Sequence, residues 1–294
     1  MPLTLDPVHE NVMAPKGVLY IVATPIGNLD DITLRALNVL KSVDIIAAED
    51  TRHTVKLLSR YSIKKHLFSF HDHNERDRMD ILLSKIKEGN SVALVSDAGT
   101  PSVSDPGFRL VREAASQGLT IVPVPGVSAA VTALCASGLP TDAFVFLGFP
   151  PRKKGKRIEF LSDLKDEKKT LIFYESPHRI IQFIDEAIDI LGPREAVLAR
   201  EMTKIHEEFI RGSFEDIKGS LSRREQIRGE CTLIVSGAQD CVVDVSMLDQ
   251  EIRDKLLRGT PPPSVLAKDL SMKYPVKKRD IYEKILRIRD TLTG

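Results

Sequence analysis

From Gly17 to Val124 the chain alternates short apolar, β-branched runs with segments of helical period, and no other feature constrains the fold as much. Strands separated by helices pair in parallel, because a crossover helix returns the chain to the same edge of the sheet. The runs Val18–Ala23, Asp44–Ala48, Leu67–Phe70, Ser91–Val95 and Leu119–Val124 read as strands. Thr33–Lys41, His53–Arg60, Glu75–Lys87 and Phe108–Gln117 read as helices between them, with Gly89 and Gly118 where helix C-caps belong. In such a sheet every loop that follows a strand lies on one edge, and ligands of open α/β sheets bind there.

Pro123-Val-Pro-Gly126 marks a boundary, since two prolines and a glycine so close together continue neither a strand nor a helix. Beyond it the chain reads as helix Val127–Ala136, strand Phe144–Phe149, a basic loop, strand Thr170–Tyr174 and helix Pro177–Leu191. Strands Ala196–Arg200, Glu207–Arg211 and Cys231–Ser236 follow, and these are expected to pair antiparallel. From Ser246 onward only helical periodicity remains, in Met247–Arg258, Ser264–Lys273 and Lys277–Asp290. The expected organisation is a disordered N-terminal extension (1–16), an α/β domain (17–124), a second α/β domain (125–240) and a helical tail (241–294).

A chain of 294 residues, 42% hydrophobic, can bury a sizeable core. Its net charge of +1 hides an asymmetry, because residues 245–294 hold 11 Lys/Arg against 7 Asp/Glu. A basic tail on a slightly acidic body points to a polyanionic partner. Cys135, Cys231 and Cys241 form no CxxC pair and have no histidine at metal spacing, which argues against a disulfide framework or a zinc site and fits a reducing cytoplasm. Residues 1–16 lack the basic and apolar regions of a signal peptide. The uncharged run Ala114–Thr141 is interrupted by Pro123, Pro125 and Gly126, so it reads as strand, turn and helix rather than as a membrane span.

The polar residues gather at the ends of the expected strands. Val95–Gly107 follows the run Val92–Val95 with two glycines, two prolines and Asp97 and Asp105, in the position of a βα ligand loop; an ordinary turn capped by Asp105 ahead of Pro106 reads equally well. Thr24–Thr33 carries one glycine and two adjacent aspartates, which could simply cap the next helix, and is no GxGxxG fingerprint. The chain has no GxxxxGK[ST] phosphate loop either. Glu49-Asp-Thr-Arg52 sets two carboxylates beside an arginine able to hold one of them ionised. His71-Asp-His-Asn-Glu75 admits a metal reading, but no further His or Cys is tied to it by sequence, and a hydrogen-bonding loop or a helix cap by Asn74 fits better. Arg152-Lys-Lys-Gly-Lys-Arg157 packs five cations into six residues, as phosphate contacts or as an exposed mobile loop. Tyr174–Arg179 and Arg200–Lys204 are polar clusters at the strand ends of the second domain.

Taken together, residues 21–33, 48–52, 96–107, 125–129, 174–179 and 200–204 resemble the tetrapyrrole-methylase superfamily, on its ribosomal-RNA branch. The likeness spans roughly residues 17–290 and includes Tyr-Pro-Val-Lys-Lys-Arg-Asp-Ile-Tyr at 274–282. Thr-Pro-Ile-Gly-Asn in the first loop and Ser-Asp-Ala-Gly in the central one depart from the glycine-rich forms of the tetrapyrrole-binding branch.

The resemblance implies a fold of two α/β domains with an interdomain cleft plus a small helix-turn-helix-like tail. It further implies S-adenosylmethionine as cofactor, with Ile26, Asp97, Thr100, Ser128, Ala129, Glu175 and Met202 at its binding positions. The implied reaction is 2′-O-methylation of a ribose on a cytidine in the decoding centre of small-subunit (16S) ribosomal RNA, by a cytoplasmic homodimer without a metal. Removal of the hydroxyl proton calls for a nearby base. Glu49 is the first candidate, with Arg52 holding it ionised; Glu201 and Lys204 are rivals, and the resemblance does not settle the choice. Arg152, Lys153, Lys154, Lys156, Arg157, Lys277, Lys278 and Arg279 are the residues expected to touch RNA or the assembled 30S subunit. Methylation of a small corrinoid-type molecule or of a protein, and a non-catalytic RNA-binding assembly role, remain as alternatives.

Overall fold

The computed structural model describes residues 16–239, 245–258, 262–274 and 278–293. All ten expected strands form, each within a residue or two of its expected ends. Strands β1 (Val18–Val22), β2 (Ile45–Ala48), β3 (His66–Ser69), β4 (Val92–Val95) and β5 (Thr120–Val124) make one wholly parallel sheet, ordered β3-β2-β4-β1-β5. The central strand β4 is buried along its whole length, as a continuous apolar run covered on both faces should be. β2 begins one residue later than expected because the Asp44 carboxylate accepts from the Ser91 amide and hydroxyl, both at 2.7 Å, bracing the starts of two neighbouring strands.

Helices α1 (Leu34–Ser42), α2 (Thr51–Arg60), α3 (Glu75–Lys87) and α4 (Phe108–Ser116) supply the crossovers. Thr33 and Asp50 cap α1 and α2 by accepting from the Ala36 and Arg52 amides. The paired aspartates 30 and 31 are not the cap of α1; they lie in a short 3-10 turn that Asn28 caps. Gly89 and Gly118 follow α3 and α4 with positive φ, in the left-handed conformation that ends a helix.

The second sheet contains β6 (Phe144–Gly148), β7 (Thr170–Glu175), β8 (Glu195–Arg200), β9 (Glu208–Ser213) and β10 (Cys231–Val235), ordered β6-β7-β10-β8-β9. β6 and β7 are parallel and the other pairings antiparallel. Because strand side chains alternate between faces, each central strand feeds two layers. Leu171, Phe173, Leu233 and Val235 pack on one face with Phe183 of α7 (Ile180–Leu191) and Phe214 of α8 (Phe214–Ser222). Ile172, Ile234 and Val197 pack on the other with the small-residue helix α5 (Ala129–Ser137), Ile26 and Met202. That second layer joins the two sheets, and the described residues 16–237 form one compact unit.

Two features of this half escape the sequence pattern. α8 follows β9 directly, started by a capping box in which Ser213 and Asp216 bond each other's backbone amides. The basic run is not simply a loop, because Lys154–Arg157 is the first turn of α6 (Lys154–Asp163). Arg157 is not a free surface cation: it is 3% exposed, since it shares the inner face of α6 with Leu161. Its guanidinium donates to both Glu186 oxygens, at 2.5 and 2.8 Å, and to the Pro151 and Arg152 carbonyls.

A separate unit from Ala238 contains α9 (Val245–Leu257), α10 (Pro263–Lys273) and α11 (Lys278–Thr293). Leu248, Ile252, Leu266, Leu270, Ile281 and Ile285 form its core. Lys278 and Arg279 open α11 in exposed positions, and Lys277 lies outside the described residues. Among the described residues no helix is long and apolar enough to cross a membrane.

Removing one partner of a buried ion pair leaves the other charge stranded, which costs about 3 to 5 kcal/mol. Glu186→Ala is therefore expected to lower unfolding free energy by about 3 kcal/mol in a urea titration, whereas an exposed pair such as Arg279 and Glu283 should contribute less than about 1 kcal/mol. A loss at Glu186 as small as the exposed pair's would contradict the assignment.

Candidate functional site

The site is assembled from loops at the carboxyl edge of the parallel sheet. Thr24, just past β1, and Gly99, past β4, exchange two backbone hydrogen bonds of 2.8 and 3.0 Å. The Thr24 hydroxyl also donates to the Ser96 carbonyl. Thr100 then donates from its hydroxyl to the Val127 carbonyl beyond β5. The start of α5 is tied in turn to the second sheet by the Ala130 amide, which donates to the Tyr174 phenol oxygen at 3.0 Å.

Facing these loops is an edge of the second sheet. β10 runs antiparallel to both neighbours, so Cys231 at its start pairs with Glu175 at the end of β7 and with Arg200 at the end of β8. Between the two edges lies a cavity of about 250 Å³, walled by Ile26, Ala98, Gly99, Thr100, Asp105, Ser128 and Ala129 on one side. Phe149, Tyr174, Glu175, Ser176, Met202, Glu230, Cys231 and Thr232 complete it. Six of the seven expected cofactor positions, Ile26, Thr100, Ser128, Ala129, Glu175 and Met202, thus share one wall system. Asp97 stands apart, in the adjoining groove with Pro25, His53 and Lys56, where its carboxylate accepts from the Asp50 amide at 3.0 Å and faces His53 at 3.3 Å.

Glu175 has no exposed side-chain surface, and its Oε1 is engaged by the Ser176 amide and the Arg179 guanidinium at 2.7 and 2.5 Å. Its Oε2 is buried with no hydrogen-bond donor in the protein. An unsatisfied buried acceptor costs about 1 to 3 kcal/mol, so at a cavity wall it invites a donor from a ligand.

The four expected catalytic residues fall into two groups, none on the cavity wall. Glu49 is partly buried, and one of its oxygens accepts from the Asp97 amide at 3.4 Å. Burial pushes its carboxyl above the usual range, and the charges of Asp97 and Asp72 add to this. Arg52 does not hold Glu49 ionised; its guanidinium is spent on Asp50, at 2.6 Å, and it lowers the carboxyl pKa of that residue instead. The reason is local, since Asp50 caps α2 and the arginine two positions on folds back over it. Glu201 and Lys204 bond each other at 2.8 Å, and Glu230 also holds Lys204. The hydrogen bond from Lys204 pulls the Glu201 carboxyl down. Burial pulls the Lys204 ammonium down, but its two carboxylate partners outweigh that and leave it raised. Both therefore stay charged near neutral pH, paired close to where Thr203 accepts from the Asn28 amide at 2.9 Å.

His71 and His73 stack edge to face with ring centroids 6.0 Å apart, and the His71 ring is engaged by Asn74. Asn74 begins α3 but spends its side chain on His71 and Ser69 rather than on the helix amides. Among the described residues, Asp50, His53 and Asp97 bring donor atoms within 4.8 Å of one another, as a hydrogen-bonded knot.

Asp105, Phe149 and Cys231 also line the cavity, and none of them is among the expected catalytic or cofactor-binding residues. Asp105 does not cap α4, because Gly107 takes that position at φ 122° and donates its amide to Glu75. Asp105 is left facing the cavity, and its carboxyl is pushed up to about 7 by burial, then by the charge of Glu49. The available signal is Gly107, whose φ no ordinary first helical turn requires. Phe149 is 57% exposed and lies edge-on to Tyr174 at 5.6 Å. Cys231, its thiol pushed up to about 12 by burial, enters only through strand register, which no local motif encodes.

A family model described as Tetrapyrrole (Corrin/Porphyrin) Methylases matches residues 18–218. The chain is 51% identical over 222 residues to the ribosomal RNA small subunit methyltransferase I of Halalkalibacterium halodurans, covering 76% of each chain. It is 46% identical over 270 residues to the protein of the same name from Haemophilus influenzae, covering 91% of this chain and 95% of that one. Among solved structures, uroporphyrin-III-C-methyltransferase from Thermus thermophilus superposes with a TM-score of 0.53 at 23% identity, over 75% of this chain and 94% of the other, a likeness of fold. The family match over residues 18–218 and the two relatives agree with the shared fold, and the chain belongs to the tetrapyrrole (corrin/porphyrin) methylases.

Proposed function

We propose that the chain transfers a methyl group from S-adenosylmethionine to the ribose 2′-hydroxyl of a cytidine in the decoding centre of small-subunit ribosomal RNA. The observation that carries this reading is the similarity along nearly the whole chain to proteins named for small-subunit ribosomal RNA methylation. The cavity fits the cofactor's chemistry. Ile26, Ala129 and Met202 offer apolar surface to a purine and to the methylenes of the methionine chain, and the unpartnered Glu175 oxygen offers an acceptor to a hydroxyl or ammonium group.

When bound, S-adenosylmethionine supplies a methyl already activated on a sulfonium. What remains for the protein is alignment, exclusion of water and removal of one proton from the accepting hydroxyl. The two rows of loops hold the walls in fixed register through the Thr24, Thr100 and Tyr174 hydrogen bonds. Phe149, exposed at the cavity, is suited to stack on an unpaired base, which is how single-stranded RNA is commonly read. Arg152, Lys153, Lys154 and Lys156 follow it closely in the chain, all exposed, and supply charge for the adjoining phosphates. Lys278 and Arg279, on the separate helical unit, are assigned the same role.

Three measurements test this. With tritiated cofactor, label is expected in small-subunit RNA or 30S subunits and not in corrinoid precursors, and it should be recovered on a cytidine ribose; label on a base would overturn the reading. Changing Arg152, Lys153, Lys154 and Lys156 together to glutamine is expected to weaken RNA binding and to flatten its salt dependence by about 0.7 in logarithmic slope for each phosphate no longer neutralised. Unchanged binding at every salt concentration would remove the assignment. Glu175→Gln should weaken cofactor binding about tenfold by calorimetry, the value of one hydrogen bond to a charged group.

A further inference from the structure

We propose that Asp105 is the general base of the reaction, accepting the proton of the substrate hydroxyl as that oxygen attacks the methyl group. The assignment rests on the methyl-transfer reading above. In balance, the O–H bond breaks as an O–CH3 bond forms, the proton passes to the Asp105 carboxylate, and the electron pair of the broken S–CH3 bond stays on sulfur.

Position comes first. Asp105 is on the cavity wall with Phe149, Tyr174 and Glu175, whereas Glu49, Glu201 and Lys204 are not. Glu49 spends one oxygen on the Asp97 amide, and Glu201 and Lys204 are committed to each other. The other carboxylates of the wall are engaged as well, Glu175 by Arg179 and Glu230 by Lys204. Presentation is the second argument. Ser102 and Ser104 hold φ of 70° and 64°, a left-handed conformation that non-glycine residues rarely adopt. Such strain persists only where the surroundings over-determine it. Here they do, because Glu75 holds the Gly107 amide and Ser104 packs against Gly148 of β6 so tightly that a Cβ there would sit 2.8 Å from its hydroxyl. The loop thus spans from the first sheet to the second and carries Asp105 between its fixed points.

Third is the electrostatic setting. Burial and Glu49 raise the Asp105 carboxyl to about 7, Asp97 and Asp72 push the same way, and a hydrogen bond from Ser96 opposes them. Tyr174 faces it from β7, its phenol raised chiefly by burial and also by the charge of Asp105. Glu175, paired with Arg179, and Glu230 are the other charged groups on the wall. A base that titrates near the working pH combines adequate ionisation with adequate proton affinity. Glu49 is itself raised, chiefly by burial, and its charge is the largest carboxylate contribution to the shift of Asp105.

The test is the pH dependence of single-turnover methyl transfer, beside calorimetric binding of S-adenosylhomocysteine. For the natural chain the rate is expected to climb through pH 7 and level off above it. Asp105→Asn should lose at least about 100-fold in rate together with the climbing limb, while binding the cofactor product within about twofold. Asp105→Glu should restore part of the rate, and Glu49→Gln should move the limb to lower pH by removing a like charge. The stability consequence has the opposite sign. A carboxyl raised on folding loses stability as pH climbs from about 4 to about 7, so Asp105→Asn should melt higher than the natural chain at pH 8.

Full rate and an intact limb in Asp105→Asn would overturn the assignment, as would loss of cofactor-product binding in that variant. A carbon-13 titration of the aspartate carboxyls in the free protein decides independently of any substrate. A resonance titrating near 7 that vanishes in Asp105→Asn is expected, and its absence would overturn the proposal. If the natural chain transfers no methyl to RNA, the functional reading fails whatever Asp105 does; if it transfers and Asp105→Asn is indifferent, only the base assignment fails.

Discussion

The two hydrogen bonds between Thr24 and Gly99 are the constraint from which the rest of the site follows. β1 and β4 are neighbours in a parallel sheet, and loops leaving neighbouring strands have no built-in reason to stay paired. The bridge makes them do so, and it extends the ladder past the sheet's end only because Gly99 adopts φ 82° at little cost. Once it forms, Ile26 is directed into the layer shared with Met202 and Ile172. Thr100 is brought within reach of Val127, and through α5 the Ala130 amide meets Tyr174. The cavity wall is the sum of these steps.

The same edge gathers acid. Glu49, Asp50, Asp72, Asp97 and Asp105 follow three neighbouring strands, and the fold treats them unequally. Asp50 has Arg52 and the N-terminus of α2, and Asp97 has an amide and a histidine, so each has a partner for its charge. Glu49 and Asp105 receive burial and the field of neighbouring carboxylates, Asp97 and Asp72 acting on Glu49 and Glu49 on Asp105, which favours their neutral forms. Unequal environments divide one kind of residue into structural anions and proton carriers.

The fold is largely legible in the sequence because apolar runs and helix caps are local. All ten strands and the first four helices follow from period and punctuation. α8 does not, although Ser213 and Asp216 spell a capping box, because β9 runs straight into it without a turn signal. The cofactor positions are legible through the family resemblance: Ile26, Thr100, Ser128, Ala129, Glu175 and Met202 all reach the cavity. The chain is illegible where a neighbour in sequence is not the partner in space. Arg52 stands three residues from Glu49 and pairs with Asp50; Arg157 closes a run of surface cations, and helical period turns it inward to Glu186. Asp-Pro-Gly at 105–107 spells a helix start, and the positive φ that transfers the cap from Asp105 to Gly107 is written only in the structure.

Glycines show how far the cavity can adapt. A Cβ at Gly27 would meet the Lys204 and Thr203 side chains at 2.6 and 2.7 Å, and one at Gly148 would meet Ser104 at 2.8 Å. The loops of the two sheets therefore meet nearly backbone to side chain on both flanks of the site, without room for a methyl group. Walls held that closely cannot reshape themselves for different acceptors, since packed interiors shift between discrete arrangements rather than deform smoothly. On the proposed function, the choice among acceptors then falls to what projects beyond the walls. Phe149 and the cations of residues 152–156 are the exposed groups that fit the task, because one faces the cavity and the others follow it in the chain. On the same proposal, the alignment of the methyl group falls to the closely packed loops, and the selection of the substrate falls to the short, exposed segment that follows Phe149.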